Sequence, residues 1–200
     1  MDSTSNNSTL AFARTGAARY RQVEATLDAR PFERGDLNVC YIWSRSRGDL
    51  NTLSDTCMPF EQPVIRPNAS GVLASDVPSR LVTWGLFNLP FKLTLNPVVD
   101  VQSGLPYSDV EVLQNYVGVP SGLRFPTYFA LDARIYREFP LRLPFMERSA
   151  KRKMRLGVYT LNLTNRRNPL EISTNVASPL FGRYAGFERR TDGLVIDVVN

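Results

Sequence analysis

Residues Arg80 to Gly104, RLVTWGLFNLPFKLTLNPVVDVQSG, contain two apolar-rich runs that are joined at Asn88–Phe91. Apolar and polar residues alternate in the second run, where one parity holds Leu93, Leu95, Val99 and Val101 and the other holds Thr94, Asn96, Asp100 and Gln102. Such alternation predicts a β-strand with two unlike faces. The apolar face contacts either a protein core or lipid, and the polar face contacts either bulk water or a pore.

The same alternation extends over most of the chain and predicts an all-β fold. No stretch has the pattern of a long amphipathic helix, so we expect an antiparallel meander in which residues 20–200 form the sheet and residues 1–19 form a flexible N-terminal segment. The predicted strands are Tyr20–Arg30, Asp36–Ser46, Arg80–Leu89, Phe91–Gln102, Thr127–Glu138, Lys153–Leu163 and Thr191–Val199.

The predicted connections differ in length in a regular order: short, long, short, long, medium, long. In chain order they are Pro31–Gly35, Arg47–Ser79, Asn88–Phe91, Ser103–Pro126, Phe139–Arg152 and a last segment that ends near Arg189. In an antiparallel meander this order places the short turns at one end of the sheet and the long connections at the other. Short periplasmic turns, long extracellular loops and strands of roughly ten residues are typical of outer-membrane β-barrels.

Aromatic and charged residues fit the same arrangement. Tyr41 and Trp43 lie near the long-connection end of a strand and Phe91 lies at a short turn, where aromatic girdles of barrels are found. The apolar parity from Leu93 to Val101 has no charge, as a lipid-facing surface requires, because Arg or Lys at the bilayer midplane costs about 2–4 kcal/mol. We expect Asp100, Asp132 and Arg134, on the other parity, to line a wet lumen and to pair across strands.

Two features depart from a simple strand pattern. Pro97 lies inside a predicted strand and removes a ladder donor, which predicts a bulge or local break there. The strand Arg80–Leu89 is apolar on both parities, which predicts burial on both sides against an adjacent domain or plug.

The composition excludes several kinds of chemistry. The chain has 200 residues, a net charge of +5 and no histidine, and it lacks phosphate-binding glycine motifs and CxxC spacing. We therefore predict no enzyme activity, no cofactor and no catalytic, cofactor-binding or metal-binding residues. Most basic residues are scattered rather than arranged in a stripe. The basic cluster Arg148–Lys153 is interpreted as a polar turn between strands rather than as a contact with nucleic acid or anionic headgroups, so no nucleic-acid partner is expected. A single bridge between Cys40 and Cys57 remains open.

The same composition bears on targeting. No apolar run is long enough for a transmembrane helix. The first residues, MDSTSNNSTLAFARTG, lack the basic and apolar regions of a secretory signal.

Several short motifs resemble one family in their order along the chain. Ser75–Arg80, Leu89–Phe91 and Gln102–Tyr107 resemble the C-terminal barrel of TonB-dependent receptors, in particular the Oar-like type with a carboxypeptidase-regulatory-like domain. The resemblance extends over roughly Tyr20–Asn200. Further strand ends of that family are similar to Tyr41–Ser46 (YIWSRS), Leu131–Arg134 (LDAR) and Leu161–Asn165 (LNLTN), the last followed by Asn168-Pro169.

The resemblance implies a barrel of about 22 strands, of which this chain would supply the last seven. It also implies outer-membrane localisation, a periplasmic C-terminus, and contact with outer-membrane lipid and with the rest of the barrel and plug. TonB would be reached only through the plug and TonB box, which this chain lacks. We expect a receptor fragment that contributes to active substrate uptake only in the complete protein. The alternative is a soluble β-sandwich or small β-barrel that binds a ligand.

Overall fold

A computed structural model of the protein describes residues 17–32, 35–49, 70–112, 115–140 and 153–199. The predictions for residues 1–16, for Cys57 and for the basic connection that includes Arg148 lie outside this part. The main strands are β1 (Ala18–Phe32), β2 (Gly35–Gly48), β4 (Ser79–Leu89), β5 (Leu93–Gln102), β10 (Tyr128–Pro140), β11 (Lys153–Leu161) and β14 (Thr191–Val199). The minor strands are β3 (Gly71–Val72), β6 (Pro106–Tyr107), β7 (Asp109–Val110), β8 (Tyr116–Val117), β9 (Leu123–Arg124), β12 (Pro169–Ile172) and β13 (Tyr184–Phe187).

The main strands form one antiparallel sheet with the order β1-β2-β4-β5-β10-β11-β14. Every neighbour in space is also the next long strand in the chain, so the sheet is a meander, and the predicted all-β fold is confirmed. The sheet is not closed, and β1 and β14 form its two edges. In the described residues the fold is one sheet layer, whereas a water-soluble domain buries its apolar face against a second layer.

The connections are separated by length as predicted. Two residues separate β1 from β2, and the 3₁₀ turn Pro90–Lys92 separates β4 from β5 at the same end. Phe91 has a positive φ of 63°, which reverses the chain within this short turn. The long connections lie at the opposite end and contain the minor strands. Of these, β3 pairs with the end of β2, and the others form the two-stranded sheets β6–β9, β7–β8 and β12–β13.

Some strand boundaries differ from the predictions. Pro31 lies in β1 rather than in a turn, because the register shifts between Ala29 and Phe32. A proline is tolerated at such an irregularity on an edge strand, where the missing N–H breaks no regular ladder bond. At the other end of the sheet, β11 stops at Leu161 instead of Leu163, because Asn162 has a φ of 49° and starts a turn.

The predicted disturbance at Pro97 is a local break without a bulge. Trp84 lies opposite Val98 and Phe87 lies opposite Leu95, so the register between β4 and β5 is the same on both sides of the gap. The ladder with β10 continues through Pro97, which lies opposite Ala133. The missing N–H therefore interrupts pairing with β4 alone.

In the isolated chain neither side of the third long strand is fully buried, and its predicted burial against an adjacent domain or plug stays a prediction. Trp84 and Leu86 on one side of β4 are 41% and 36% exposed, and Leu81 and Phe87 on the other side are half-buried. Only Gly85 is buried in this strand. The physical reason is that no second layer of the described residues covers either face of the sheet.

Candidate functional site

One face of the main sheet is apolar across all seven strands. Residues directly opposite each other in antiparallel strands point to the same side, and the strand register therefore assigns every side chain to a face. The apolar and small residues of this apolar face are Val23, Ala25, Leu27, Ala29, Leu37, Val39, Tyr41, Trp43, Leu81, Thr83, Gly85, Phe87, Leu89, Leu93, Leu95, Pro97, Val99, Val101, Phe129, Leu131, Ala133, Ile135, Phe139, Met154, Leu156, Val158, Leu194, Ile196 and Val198. The same side also carries polar residues near the strand ends: Arg137 toward the short turns, and Arg19, Arg21, Arg45, Arg47, Ser79, Thr160 and Asp192 toward the long connections.

The apolar face is exposed in the isolated chain. Val23 and Leu27 are each 61% exposed, and Leu194 and Ile196 are 76% and 70% exposed. Water penalises such area by roughly 25 cal/mol per Å². Contiguous exposed apolar surface of this kind marks contact with a membrane or with another protein.

Aromatic residues lie at both ends of the apolar face. Tyr41 and Trp43 lie toward the long connections, and Phe91 lies at the short turn and is 82% exposed. On β10, Phe129 lies at the long-connection end and Phe139 at the other. The ten steps from residue 129 to residue 139 span about 33 Å at 3.3 Å per residue, or about 25 Å of height at a barrel tilt of ~40°. This height equals the apolar band of outer-membrane barrels.

The opposite face of the sheet is polar and carries charges in pairs. Of the acidic residues in the main strands, all except Asp192 lie on this polar face: Glu24, Asp28, Asp36, Asp100, Asp132, Glu138 and Asp197. Each arginine of the polar face has a carboxylate partner: Arg30 with Asp36 at 2.9 Å, Arg80 with Asp100 at 2.7 Å, Arg134 with Asp197 at 2.8 Å and Arg155 with Glu138 at 2.9 Å. Because its charges are paired, the polar face is suited to contact with water and produces no large net electrostatic field.

An open groove of about 720 Å³ lies on the polar face over β10, β11 and β14. Tyr136 contacts two guanidinium groups, with Arg155 at 4.4 Å and Arg134 at 5.4 Å from its ring centroid. Arg134 reaches across β11 to Asp197, and Gly157 lies opposite Tyr136 in the strand between them. The groove presents guanidinium, carboxylate and phenol groups that can hydrogen-bond polar solutes.

The predicted residues lie on the polar face as expected. Asp100 pairs with Arg80 on the neighbouring strand as predicted, whereas the partners of Asp132 and Arg134 are not the predicted ones. Asp132 does not pair with a basic residue; it accepts a hydrogen bond from the main-chain N–H of Asn162 at 2.7 Å. Arg134 pairs with Asp197, two strands away instead of on the neighbouring strand.

A buried charged residue connects two of the long connections. Asp76 is 2% exposed and accepts a hydrogen bond from the main-chain N–H of Ser46 at 2.5 Å. Arg124 donates to the Asp76 carboxylate and, at 3.0 Å, to its main-chain carbonyl. The same guanidinium donates to Gly104 at 3.1 Å. Asp76 therefore fixes the start of β4 to the end of β2 and to the second long connection.

Two buried asparagines organise the third long connection. Asn162 is fully buried, and its side chain donates to Arg166 O at 2.8 Å and accepts from Arg166 N at 3.0 Å. Asn168 accepts from Phe129 N at 3.2 Å and donates to Phe129 O at 2.8 Å. The side-chain amide of Asn168 thus pairs with Phe129 as a neighbouring strand would, and it also donates to Glu188 at 2.8 Å.

Aromatic contacts stabilise the same end of the molecule. Tyr107 and Phe125 meet edge to face, with ring centroids 5.3 Å apart, and Tyr184 packs 6.0 Å from Phe125. Burial, followed by the neighbouring Tyr184 and Asp109, raises the pKa of Tyr107 above its ordinary value. An isolated bridge between Val110 and Asn175 joins the second and third long connections. The loop end is therefore a connected structure.

The sequence analysis did not assign roles to these loop-anchoring residues. Asp76, Asn162 and Asn168 are nevertheless members of the quoted motifs, as are Ser44 and Ser46, which are also buried. The signal in the sequence that could have identified them is that they are polar residues of these motifs at or next to the ends of strands. Arg124 had no such signal, because its partner lies 48 residues away in the chain.

The described residues contain no group of three or more His, Cys, Asp and Glu side chains that could hold a metal ion. Cys40 lies in β2 as predicted, is buried, and contacts Glu24 Oε1 at 3.5 Å. The sequence left a bridge to Cys57 open, and Cys57 lies outside the described residues.

Comparisons with known proteins found no matching family model, no matching curated protein and no matching solved structure. In the described part of the chain, no helix is long and apolar enough to cross a membrane.

Proposed function

We propose that this chain is the C-terminal barrel segment of a TonB-dependent outer-membrane receptor. It would form part of the wall and of the extracellular loops through which the complete receptor takes up its substrate. The observation that carries the proposal is the one-layer meander whose apolar face is continuous and exposed while its polar face carries charges in pairs.

The two faces correspond to the two environments of a barrel wall. Lipid contacts the apolar face, and the lumen contacts the polar face, where each arginine keeps its carboxylate partner in water. The height of about 25 Å between Phe129 and Phe139 matches the hydrocarbon band. A soluble sandwich would need a second layer over the apolar face, and the described residues supply none.

The two sheet edges indicate where the remaining strands belong. Neighbouring strands alternate in direction, so β1 and β14, the first and last of seven, run the same way. Each leaves a row of backbone N–H and C=O groups on its outer side, which lipid does not tolerate. An all-antiparallel closure therefore needs an odd number of further strands, consistent with about 22 in total.

The loop-anchoring residues support the family assignment. The motifs that resemble TonB-dependent receptors contain Ser46, Asp76, Asn162 and Asn168, and these are among the buried polar residues of the described chain. A motif that fixes the fold is expected to contain buried polar residues, since a buried polar group needs a fixed hydrogen-bond partner. In the complete receptor, the plug would lie against the polar face, and TonB would act through the plug.

The assignment is tested on the DNA upstream of the codon for Met1, read in all frames. We expect a plug domain and further alternating strands there, in frame or across one frameshift. An unrelated gene with its own stop codon and promoter would contradict the receptor assignment.

A further inference from the structure

Four arginines form a two-by-two block at the long-connection end of β1 and β2. Arg19 lies directly opposite Arg47, and Arg21 lies directly opposite Arg45. All four side chains are exposed. Directly opposite residues have Cβ atoms about 4.5–5.5 Å apart, where like charges destabilise a sheet. This arginine block is therefore unfavourable unless an anion binds to it.

The arginine block lacks the carboxylate partners that the polar face provides. In the described residues the four arginines of the polar face are all in ion pairs, whereas none of the arginine block is. The four arginines line one open groove of about 470 Å³, and Asp49 lines it too. Its carboxylate accepts a hydrogen bond from the N–H of Ala17 at 2.6 Å, and a single carboxylate cannot neutralise four guanidinium groups.

The position of the block indicates the kind of anion. Arg21 and Arg45 belong to the same side of the sheet as Val23 and Trp43, one residue pair beyond them. One such step is about 6.6 Å along the strand. The block thus follows the apolar band and its aromatic border directly, at the level where lipid headgroups would lie.

We propose that the arginine block binds phosphate groups of anionic lipid headgroups at the long-connection end of the barrel. This proposal rests on the proposed function, because it requires lipid on the apolar face. Guanidinium groups bind phosphate oxygens through paired hydrogen bonds, and four of them can hold more than one phosphate. Arg21 and Arg45 directly adjoin Val23 and Trp43 on the apolar face, which favours a lipid phosphate, whose acyl chains can lie on that face, over a free phosphate ion.

Trp43 is a local reporter for this site, because it lies two residues from Arg45 on the same face of β2. The Trp84→Phe variant leaves Trp43 as the single tryptophan. This variant is folded into phosphatidylcholine vesicles that contain dibrominated phosphatidylglycerol or, in a matched sample, dibrominated phosphatidylcholine. We expect an apparent association with the brominated phosphatidylglycerol about fivefold stronger, falling as salt is raised.

Substitutions distinguish binding at the arginine block from a general effect of positive charge. Arg21→Gln with Arg45→Gln, and Arg19→Gln with Arg47→Gln, should each reduce the lipid preference several-fold. Arg21→Lys with Arg45→Lys should retain part of it. The matched control, Arg167→Gln with Arg189→Gln, removes the same charge from exposed residues outside the main sheet and should leave the preference unchanged.

Three results would overturn the proposal. Equal quenching of Trp43 by both brominated lipids would show that the block does not select anionic lipids, while leaving the membrane assignment intact. Loss of the preference in inorganic phosphate, but not in chloride of equal ionic strength, would assign the site to free phosphate. Absence of quenching by either lipid would show that Trp43 does not contact lipid, and this proposal would be overturned, whereas the proposed function is tested separately on the upstream DNA.

Discussion

Arg124 binds Asp76 at two positions, its carboxylate and its main-chain carbonyl, and so joins the second long connection to the start of β4. The Asp76 side chain is 3% exposed, whereas that of Arg124 is 33% exposed. The carboxylate also accepts the N–H of Ser46. Removal of the Asp76 side chain should therefore lower the free energy of unfolding more than removal of the Arg124 side chain, because buried donors are then left without an acceptor.

Asp76→Ala is expected to lower the free energy of unfolding by about 3 kcal/mol, because it removes a buried carboxylate and leaves the N–H of Ser46 unpaired. Equilibrium urea unfolding, followed by circular dichroism, measures this change. The control Arg167→Ala alters an exposed residue and should change it by less than about 0.5 kcal/mol. Equal effects of the two substitutions would contradict the anchoring role of Asp76.

Asn168→Asp should destabilise the fold in a pH-dependent manner. The substitution keeps the shape of the side chain but removes both donated hydrogen bonds and sets a second carboxylate beside Glu188. We expect a loss of about 2–4 kcal/mol at pH 7. Folding disfavours the charged form of the introduced carboxyl, so the loss is largest at high pH and diminishes as the pH falls toward 4. A loss that is independent of pH between 4 and 7 would contradict this account.

Strand prediction from the sequence succeeded where one parity is apolar over many residues. β14 was predicted with its observed bounds because its alternation is long enough to define the strand, and β4 was predicted within one residue because its apolar run is nearly continuous. The two-residue strands of the long connections were not predicted, since a ladder of that length, such as β7 with β8, leaves no periodic pattern. The turn at the fully buried Asn162 was not predicted either, because it depends on a left-handed backbone conformation at that residue.

Residue pairing across strands could not be read from the sequence. The sequence shows four arginines, Arg19, Arg21, Arg45 and Arg47. Only the strand register shows that Arg19 lies opposite Arg47 and Arg21 opposite Arg45. A shift of one residue would have distributed these charges over both faces. The arginine block and the diagonal pair of Arg134 with Asp197 are therefore results of the structure.

Gly157→Ala should destabilise the polar-face groove. A Cβ at this position would lie 2.2 Å from the main-chain oxygen of Ile135 and 2.5 Å from Tyr136 Cβ, so the backbone of β10 or β11 must shift. We expect a loss of about 1–3 kcal/mol in urea unfolding. It should be accompanied by a change in the near-ultraviolet circular dichroism of Tyr136, because the ring packs opposite this glycine.

Gly118→Ala is the matched control for the same substitution. Nothing lies within 4 Å of a Cβ at Gly118, but its φ is +87°, so backbone strain alone remains, at about 1 kcal/mol. This variant should leave the near-ultraviolet signal unchanged. An unchanged signal in Gly157→Ala as well would show that the close packing at Gly157 is absent in solution.

Leu27→Arg tests whether the apolar face contacts lipid. Leu27 is 61% exposed, so in water the substitution should be nearly neutral. In a bilayer it should cost about 2–4 kcal/mol, because the position lies near the middle of β1. Folding into phosphatidylcholine vesicles, titrated with urea, measures this difference. Thr26→Arg, on the polar face of the same strand, is the control, and an equal cost for both variants would contradict the assignment of the faces.

The two tryptophans of the chain provide the most direct test, because they lie on opposite faces of the same sheet. Trp43 is on the apolar face and Trp84 on the polar face, and their exposed fractions in the isolated chain are similar, 49% and 41%. Trp84→Phe and Trp43→Phe give the two single-tryptophan proteins. Each is folded with dibrominated phosphatidylcholine vesicles and titrated with aqueous iodide. We expect the bromolipid to quench Trp43 and iodide to quench Trp84. Quenching of Trp43 by iodide, with no effect of the bromolipid, would contradict a barrel wall and favour a soluble β-protein.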